Sequence, residues 1–161
     1  VVNEYLQTTN PIIFACGDIV ARTEPKLTPV ATFEGNYIAD YLTKNSAEKI
    51  SYPNIPTIVF TSPKLAQVGI IKNQLTEKHQ LEEIDMTSWF TYRRENEPIA
   101  RAQLIYDTKG YLVGASVLSE HADDLINTLN LLINQKMRKK DLTQMIMGYP
   151  TLASDLSYLL K

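Results

Sequence analysis

An α+β fold is the prediction for this sequence: an antiparallel sheet with helices packed on it, preceded by a strand-loop-helix remnant of an α/β domain. Residues 100–107 alternate in the manner of a half-buried strand, and residues 111–118 follow as the returning strand after a turn that ends at Gly110, as in a β-hairpin. Residues 120–136 carry leucine and isoleucine at helical spacing. Residues 12–16 form an unbroken apolar run that ends at Gly17-Asp18, which is typical of a strand buried on both faces.

The first part of the chain is interpreted as the last strand and helix of an α/β domain. A short edge strand precedes the Asn10-Pro11 break and the buried strand, and residues 19–27 form a polar loop. Thr28 suits the N-cap of a helix and Pro29 its first residue, because proline lacks only an N–H that has no partner there. Apolar residues at helical spacing continue this helix to about Leu42.

The polar stretch TKNSAEK at residues 43–49 interrupts the pattern. We therefore expect residues 1–45 to form the first domain, 46–52 a linker and 53–161 the second domain. In the second domain the pattern predicts a strand at 56–62, continued at 66–69 after a bulge at Pro63, and then a weak helix at 72–82. Strands are predicted at 83–93, 100–107 and 111–118. Three helices follow: one at 120–136, one that begins with a capping box at Asp141, and one that begins with an N-cap at Thr151.

Charge and composition exclude several classes of protein. The 161 residues carry 16 Lys and Arg against 18 Asp and Glu, a net charge of −2, so no positive field favours nucleic acid or an anionic membrane surface. The single cysteine excludes an internal disulfide framework and a Cys-based zinc site, and no metal site is predicted. No apolar stretch is long enough to span a bilayer and no signal segment is present, so we expect a cytoplasmic protein and part of a larger one.

Four isolated features have ordinary structural interpretations. Cys16 follows apolar residues and is interpreted as a buried structural thiol. His79 and His121 lack partners at ligand spacing and are interpreted as surface or cap residues. The basic cluster at 136–140 suits the C-terminal end of a helix, and the aromatic and basic residues at 89–94 suit alternation in a strand. None of these features predicts a function.

Gly17-Asp18 carries more information. A buried strand that ends there, followed by a loop and a helix, puts a carboxylate at the carboxyl edge of a sheet, where open α/β sheets bind ligands. Such a carboxylate can accept hydrogen bonds from the hydroxyl groups of a sugar or polyol. From the residues alone, a ligand role for Asp18 and a simple loop cap both remain open.

Two long motifs resemble one family. Residues 9–18, TNPIIFACGD, followed by LTPVA at 27–31 and Glu34-Gly35, resemble the second FAD-contacting segment of the pyridine nucleotide–disulfide oxidoreductases. These are the flavoenzymes related to glutathione reductase, dihydrolipoamide dehydrogenase and mercuric reductase. Residues 52–63, YPNIPTIVFTSP, with AQVG at 66–69, resemble the start of the dimerisation domain of that family. The resemblance covers essentially the whole chain.

The resemblance implies a homodimer and one part of an FAD site, with NAD(P)H as the reductant. It puts Gly17 and the Asp18 carboxylate at the ribityl chain of FAD. It puts the backbone of four further residues at the pyrimidine end of the flavin, where a helix N-terminus offers free N–H groups: Lys26, Leu27, Thr28 and Pro29. The GxGxxG, the CxxxxC disulfide and the NAD(P) domain of the family are absent from these residues, so the chain alone is expected to be colourless and inactive.

The sequence departs from the family in its last 15 residues or so. The disulfide reductases carry a His-Pro-Thr motif followed by a Glu, whereas this chain has Tyr149-Pro150-Thr151, with Ser154 at the Glu position. A phenol, with a pKa of about 10, can donate a proton but is a poor thiol base. Tyr149 is therefore either a proton donor or a structural residue. The resemblance implies a cis Tyr149-Pro150 bond that directs Tyr149 towards the flavin of the other subunit. Without the FAD domain, the phenol is then expected to be exposed, or disordered together with the neighbouring turn.

The sequence thus predicts the dimerisation domain and partial FAD site of an NAD(P)H-dependent flavoprotein oxidoreductase. The alternative is a stand-alone α+β dimerisation or interaction module that binds no cofactor. A small-ligand sensor dimer of ferredoxin-like type is disfavoured, because it leaves residues 9–35 unexplained.

Overall fold

The computed structural model describes residues 1–44, 48–142 and 144–160. The chain divides into two compact units, Val1–Pro53 and Asn54–Lys161. In the described ranges, no helix has the length and apolar character needed to cross a membrane. Part of the linker predicted at 46–52 lies outside the described residues, and the predicted domain roles are not tested by this division.

The Val1–Pro53 unit is built on one long helix, α1 (Thr28–Lys44), preceded by a 3₁₀ turn at Gly17–Ile19. The helix occupies the predicted region, but Thr28 is already its first residue and the Ala31 N–H bonds back to the Leu27 carbonyl at 3.0 Å. The predicted N-cap is therefore displaced by one residue, from Thr28 to Leu27. Among the described residues of this unit, four side chains are buried fully or nearly so, and one of them is charged: Leu6, Val20, Val30 and Glu34.

The predicted buried strand at 12–16 is wrong. Phe14 forms one isolated antiparallel bridge with Gln7, and Ile12 and Ile13 are 83% and 50% exposed. A strand needs a partner along its whole length, whereas the described backbone bonds between this run and residues 6–8 amount to one bridge: Thr8 N–H donates to the Ile13 carbonyl and Ala15 N–H to the Leu6 carbonyl. The early edge strand is likewise reduced to that bridge.

The Asn54–Lys161 unit contains a five-stranded antiparallel sheet in the order β1-β2-β5-β4-β3. Its strands are β1 (Thr57–Val59), β2 (Lys64–Gly69), β3 (His79–Asp85), β4 (Arg101–Asp107) and β5 (Leu112–Ser119). The predicted hairpin between β4 and β5 is confirmed, and Gly110 adopts a φ of +79° in its turn. That conformation favours glycine, because a Cβ atom would strain it.

Alternation along the strands gives the sheet one buried face. α3 (Ala122–Asn134) packs across β2 and β5 on that face, and α5 (Leu152–Leu159) contributes further leucines. Leu104, Ile126 and Leu129 are each 0% exposed in the resulting core. Residues at i and i+2 of a strand and at i, i+3 and i+4 of a helix share a face, which is why the sequence pattern already indicated this layer.

Three strand assignments differ from the prediction. The chain at 56–69 forms two antiparallel strands, β1 and β2, instead of one strand with a bulge. The weak helix at 72–82 is wrong: a 3₁₀ turn at Lys72–Gln74 is followed by β3, which pairs along its whole length with β4. The strand at 83–93 is also wrong after Asp85, because residues Phe90–Arg93 form a short helix, α2.

The helices after the sheet match the prediction in two cases of three. α3 lies within the predicted 120–136, and Thr151 caps α5 by accepting the Ser154 N–H at 3.1 Å. The capping box at Asp141 is wrong, because α4 (Lys139–Leu142) begins earlier and the Asp141 carboxylate accepts the Arg138 N–H at 3.0 Å. The predicted box also included Thr143, which lies outside the described residues.

Candidate functional site

The turn that carries Gly17 and Asp18 has a conformation that requires glycine. Gly17 has a φ of +76°, and a Cβ atom added to it would lie 3.3 Å from the Ala31 Cβ. The Val20 N–H closes the turn by donating to the Gly17 carbonyl at 3.1 Å. Asp18 is exposed, and among the described residues none donates a hydrogen bond to its carboxylate or forms an ion pair with it. Its acceptor capacity is therefore available to a ligand.

Glu34 holds this turn on α1. Its side chain is 0% exposed, and its Oε2 atom accepts the Gly17 N–H at 2.7 Å. The other oxygen, Oε1, accepts the Tyr52 hydroxyl at 2.5 Å and forms an ion pair with Arg22, whose side chain is 9% exposed. Burial raises the pKa of Tyr52, and the Arg22 guanidinium offsets part of that rise. We call Glu34, Arg22 and Tyr52 the carboxylate clamp.

The four residues predicted at the flavin pyrimidine lie at the start of α1. Lys26, Thr28 and Pro29 are exposed and Leu27 is half-buried. The first N–H groups of a helix have no intrahelical partner, and no acidic side chain occupies the first turn of α1. This helix end therefore presents free donors and a partial positive charge.

Tyr149 lies in the other unit, and the bond that follows it is cis, as predicted. Its side chain is 64% exposed, as predicted, and its ring centroid lies 6.2 Å from that of Phe90. The two rings border a cavity of about 220 Å³. The cavity is lined by Trp89, Phe90, Tyr149, Asp155 and Tyr158.

Ser154 and Asp155 have different surroundings. Ser154 completes the cap of α5: its hydroxyl accepts the Thr151 N–H at 3.0 Å and donates to the Thr151 carbonyl at 2.6 Å. Asp155 is 4% exposed, and its Oδ2 atom has no hydrogen-bond partner among the described residues. Burial raises the pKa of the Asp155 carboxyl, an effect that Thr91 and Arg94 partly offset. Ser154, the residue at the Glu position of the family motif, is thus engaged with backbone.

Several side chains set aside on sequence grounds have specific surroundings. The 89–94 segment was interpreted as an alternating strand and instead places Trp89 and Phe90 in the wall of the Tyr149 cavity. Cys16 is half-buried, not buried as predicted. His121 precedes α3 as a cap residue, and its Nε2 atom lies 2.6 Å from the Glu95 carboxylate.

Two side chains of the basic cluster at 136–140 form ion pairs within the Asn54–Lys161 unit. Lys139 pairs with Glu82 at 2.7 Å, and Arg138 pairs with Asp141 at 3.2 Å. In the part of the chain that the structure describes, no group of three or more His, Cys, Asp or Glu side chains is arranged to hold a metal ion.

The face of the sheet opposite α3 is open. A groove of about 470 Å³ runs along it, with Leu65 and Leu118 among its apolar residues and Gln103 and Ser116 among its polar ones. Arg101 of β4 and Asp85 of β3 are opposite each other there, with 3.9 Å between the guanidinium and carboxylate atoms. Within the described residues of the Asn54–Lys161 unit, the sheet is thus covered on one side only.

The sheet and its helices agree with a known domain. Residues 55–159 match the model of the pyridine nucleotide-disulphide oxidoreductase dimerisation domain. The chain belongs to this family. An HOCl-induced flavoprotein disulfide reductase, RclA from Escherichia coli, has the same fold: the TM-score is 0.88 at 24% identity, over 99% of this chain and 38% of that one.

The curated relatives are of two sizes. An uncharacterized 19.7 kDa protein in the mercuric resistance operon of Staphylococcus aureus is 40% identical over 164 residues, which cover 99% of this chain and 91% of that protein. The mercuric reductase of Streptomyces lividans is 32% identical over 170 residues, which cover 97% of this chain and 33% of that enzyme. The glutathione reductase of Burkholderia cepacia is 28% identical, and the matched region covers 35% of it. This chain therefore spans about a third of the reductases that it matches.

Proposed function

We propose that this chain supplies the dimerisation domain and one part of the FAD site of an NAD(P)H-dependent flavoprotein oxidoreductase. The observation that carries the proposal is the exposed Asp18 carboxylate, which has no partner in the part of the chain that the structure describes and lies on a turn clamped to α1. The exposed start of the same helix supplies donors of the opposite polarity. An acceptor and a set of donors are thus available on one small unit.

The chemistry of these groups fits FAD. A carboxylate accepts charge-assisted hydrogen bonds from the ribityl hydroxyls, and such bonds are stronger than neutral ones. Free N–H groups at the start of a helix bind the pyrimidine oxygens and stabilise negative charge on a reduced flavin. When bound, FAD supplies the hydride and electron transfer. The residues of this chain bind and orient it.

The proposal assigns assembly to the second unit. The sheet has one open face, and a homodimer is the simplest way for a member of this family to cover it. The chain by itself is proposed to be inactive, because the segments that bind the remainder of FAD and NAD(P)H are not among its residues. The cytoplasmic location expected from the sequence remains part of the proposal.

Tyr149 is proposed to face the flavin of the other subunit in that dimer. Its exposed phenol lies beside Phe90 and is available to donate a hydrogen bond or a proton there. We assign Ser154 the cap of α5 and no proton transfer, because its hydroxyl is already used twice by the Thr151 backbone.

A chimera tests the flavin role. We would replace the C-terminal third of the Streptomyces lividans mercuric reductase with this chain and measure FAD content by flavin absorbance. Asp18→Ala should weaken FAD binding by about ten- to hundredfold, because a hydrogen bond to a charged group is lost. Asp40→Ala, which removes an exposed carboxylate from a later turn of α1, is the matched control and should retain FAD. Equal FAD content in the Asp18 variant and its control would contradict the assignment.

The second candidate is a stand-alone dimerisation module that binds no cofactor. The short Staphylococcus aureus relative favours it, because a protein of nearly the same size as this chain exists in the family. Sedimentation at high micromolar concentration together with an FAD titration separates the candidates. If the chain sediments as a dimer and the chimera binds no FAD, the stand-alone module is supported. If the chain sediments as a monomer, both candidates are contradicted.

A further inference from the structure

The interior of the Val1–Pro53 unit is organised around a charge. Glu34 is 0% exposed, and three groups from different parts of the unit meet its carboxylate: the Gly17 N–H, the Arg22 guanidinium and the Tyr52 hydroxyl. A carboxylate buried in this way is stable only when it is paired and hydrogen-bonded. The three partners supply both conditions.

Each partner belongs to a different segment. Gly17 immediately precedes Asp18, and Arg22 lies in the loop between the turn and α1. Glu34 itself lies six positions after Thr28, fewer than two turns into α1. One side chain therefore connects the turn that carries Asp18, the loop, and the helix at whose start the other predicted flavin contacts lie.

We propose that Glu34 is a positioning residue for the flavin site, and that Arg22 and Tyr52 hold its carboxylate in place. The Gly17 N–H bond orients the peptide that leads into Asp18, so Glu34 determines the direction of the Asp18 carboxylate relative to the start of α1. The inference rests on the proposed function for its flavin part only. The bond between Glu34 and Gly17 is a property of the chain itself.

Arg22 neutralises the carboxylate and also fixes the loop. Its Cζ atom lies 5.8 Å from the centroid of the Tyr52 ring, and the ring of Tyr52 lies 5.7 Å from that of Phe33. Arg22 Nε has no hydrogen-bond partner among the described residues, so its pairing to Glu34 relies on the outer nitrogen, Nη1. Tyr52 then supports both the carboxylate and the guanidinium.

The test is the Gly17 amide of the chain itself, observed by NMR. In Glu34→Gln the charge that accepts the Gly17 N–H is lost at almost constant volume. We expect the signal of the Gly17 amide proton to move upfield and the hydrogen exchange of this amide to become about ten- to hundredfold faster. Glu4→Gln is the matched control, because it removes a carboxylate of the same unit that is exposed and paired with Lys49. The control should leave the Gly17 signal and its exchange rate unchanged.

A second variant covers the case in which Glu34→Gln does not fold. Tyr52→Phe removes only the hydroxyl that donates to Glu34 Oε1 and keeps the charge. The Gly17 amide should then exchange about two- to tenfold faster, as expected for one weaker support. An unchanged Gly17 signal and exchange rate in the folded variants would overturn the proposal.

The flavin readout separates this inference from the proposed function. In the chimera, Glu34→Gln should lower FAD affinity in the same direction as Asp18→Ala, while Glu34→Asp, which keeps the charge, should restore part of it. If Glu34→Gln changes the Gly17 amide signal and exchange rate, but neither Glu34→Gln nor Asp18→Ala lowers FAD affinity, the clamp is supported and the proposed flavin function is contradicted. If Asp18→Ala loses FAD and Gly17 is insensitive to Glu34→Gln, the flavin function stands and the clamp fails.

Discussion

The two units of this chain are stabilised in different ways. The Asn54–Lys161 unit has an extensive apolar core, in which Leu104, Ile126 and Leu129 are 0% exposed. The Val1–Pro53 unit exposes Ile12 and Ile13, and the centre of its contacts is a buried charge, Glu34. The comparison teaches that one unit follows its hydrophobic pattern, whereas the other exposes part of its apolar sequence and is organised around a charge.

The largest effect is expected in the buried clamp. Arg22→Met leaves the Glu34 carboxylate buried without its counter-ion, which should destabilise the Val1–Pro53 unit by about 3–5 kcal/mol. Hydrogen exchange of the α1 amides measures this loss. Lys49→Met removes a cation from the exposed pair with Glu4 and should change the same amides little. Similar losses in both variants would mean that burial of the pair is unimportant.

A comparable effect is expected in the apolar core of the other unit. Leu129→Ala should lower the free energy of unfolding of the Asn54–Lys161 unit by about 2–5 kcal/mol, because it leaves a cavity under the sheet. Leu131 lies two residues away on α3 and is 59% exposed, so Leu131→Ala should change stability by less than about 0.5 kcal/mol. Urea unfolding of both variants gives the comparison, and equal midpoints would contradict the assigned helix face.

The helix starts offer a smaller contrast between the units. Thr151 caps α5 through its hydroxyl, so Thr151→Ala should cost about 0.5–2 kcal/mol. Thr28 begins α1 as a helical residue whose predecessor, Leu27, accepts the first helical bond. Thr28→Ala should therefore cost less than Thr151→Ala. Thermal unfolding followed by circular dichroism compares the two losses of stability. A larger loss in Thr28→Ala than in Thr151→Ala would mean that Thr28 is the true cap of α1.

The smallest effect concerns pH. Burial raises the folded-state pKa of Asp155 above its ordinary value of 3.8, so ionising it destabilises the folded unit. This cost is absent below the unfolded pKa and complete above the folded one. Asp155→Asn should therefore increase stability more at pH 8 than at pH 3.

Asp85 provides the control of opposite sign. Hydrogen bonds from Thr87, first its side chain and then its backbone N–H, lower the pKa of Asp85. The stabilisation that this carboxylate supplies is present above its unfolded pKa and disappears as the pH falls through the folded one. Asp85→Asn should lose stability at pH 8 and little at pH 3. Melting temperatures at both pH values test the pair, and responses of the same sign would contradict it.

The elements that sequence predicted well are those with local causes. The periodicity of α3, the turn at Gly110 and the cap at Thr151 all depend on neighbours within a few residues. The resemblance likewise predicted the family and the antiparallel sheet, since its motifs are long and ordered.

The elements that sequence missed depend on distant pairing. Residues 79–82 join β3 because β4 pairs with them, a tertiary effect that overrides helix propensity. The strand ends at Asp85, whose Oδ1 atom accepts the Thr87 N–H at 3.0 Å, and the aromatic residues beyond it then form α2. The run at 12–16 has strand propensity but, among the described residues, only Gln7 opposite Phe14.

The clamp was equally out of reach for sequence analysis. Gly17 and Tyr52 are 17 and 18 positions from Glu34, so no local spacing connects them. The sequence offered two indirect signals: Glu34 belongs to the Glu34-Gly35 pair of the family resemblance, and it lies at a helix position whose neighbours Val30 and Ala31 are apolar. Such a residue is usually a solvated charge, and only the fold shows that its carboxylate is buried.

The clamp also makes part of the loop available for protein engineering. Arg22 is fixed on Glu34, so the geometry of Asp18 is set by residues up to Arg22, and the exposed Thr23 lies beyond this anchor. Lengthening a surface loop costs little, since each doubling of its length adds only about 0.6 kcal/mol. A peptide tag or a reporter sequence inserted directly after Thr23 would therefore be tolerated with Asp18 held in place, whereas the same insertion between Ile19 and Arg22 would not.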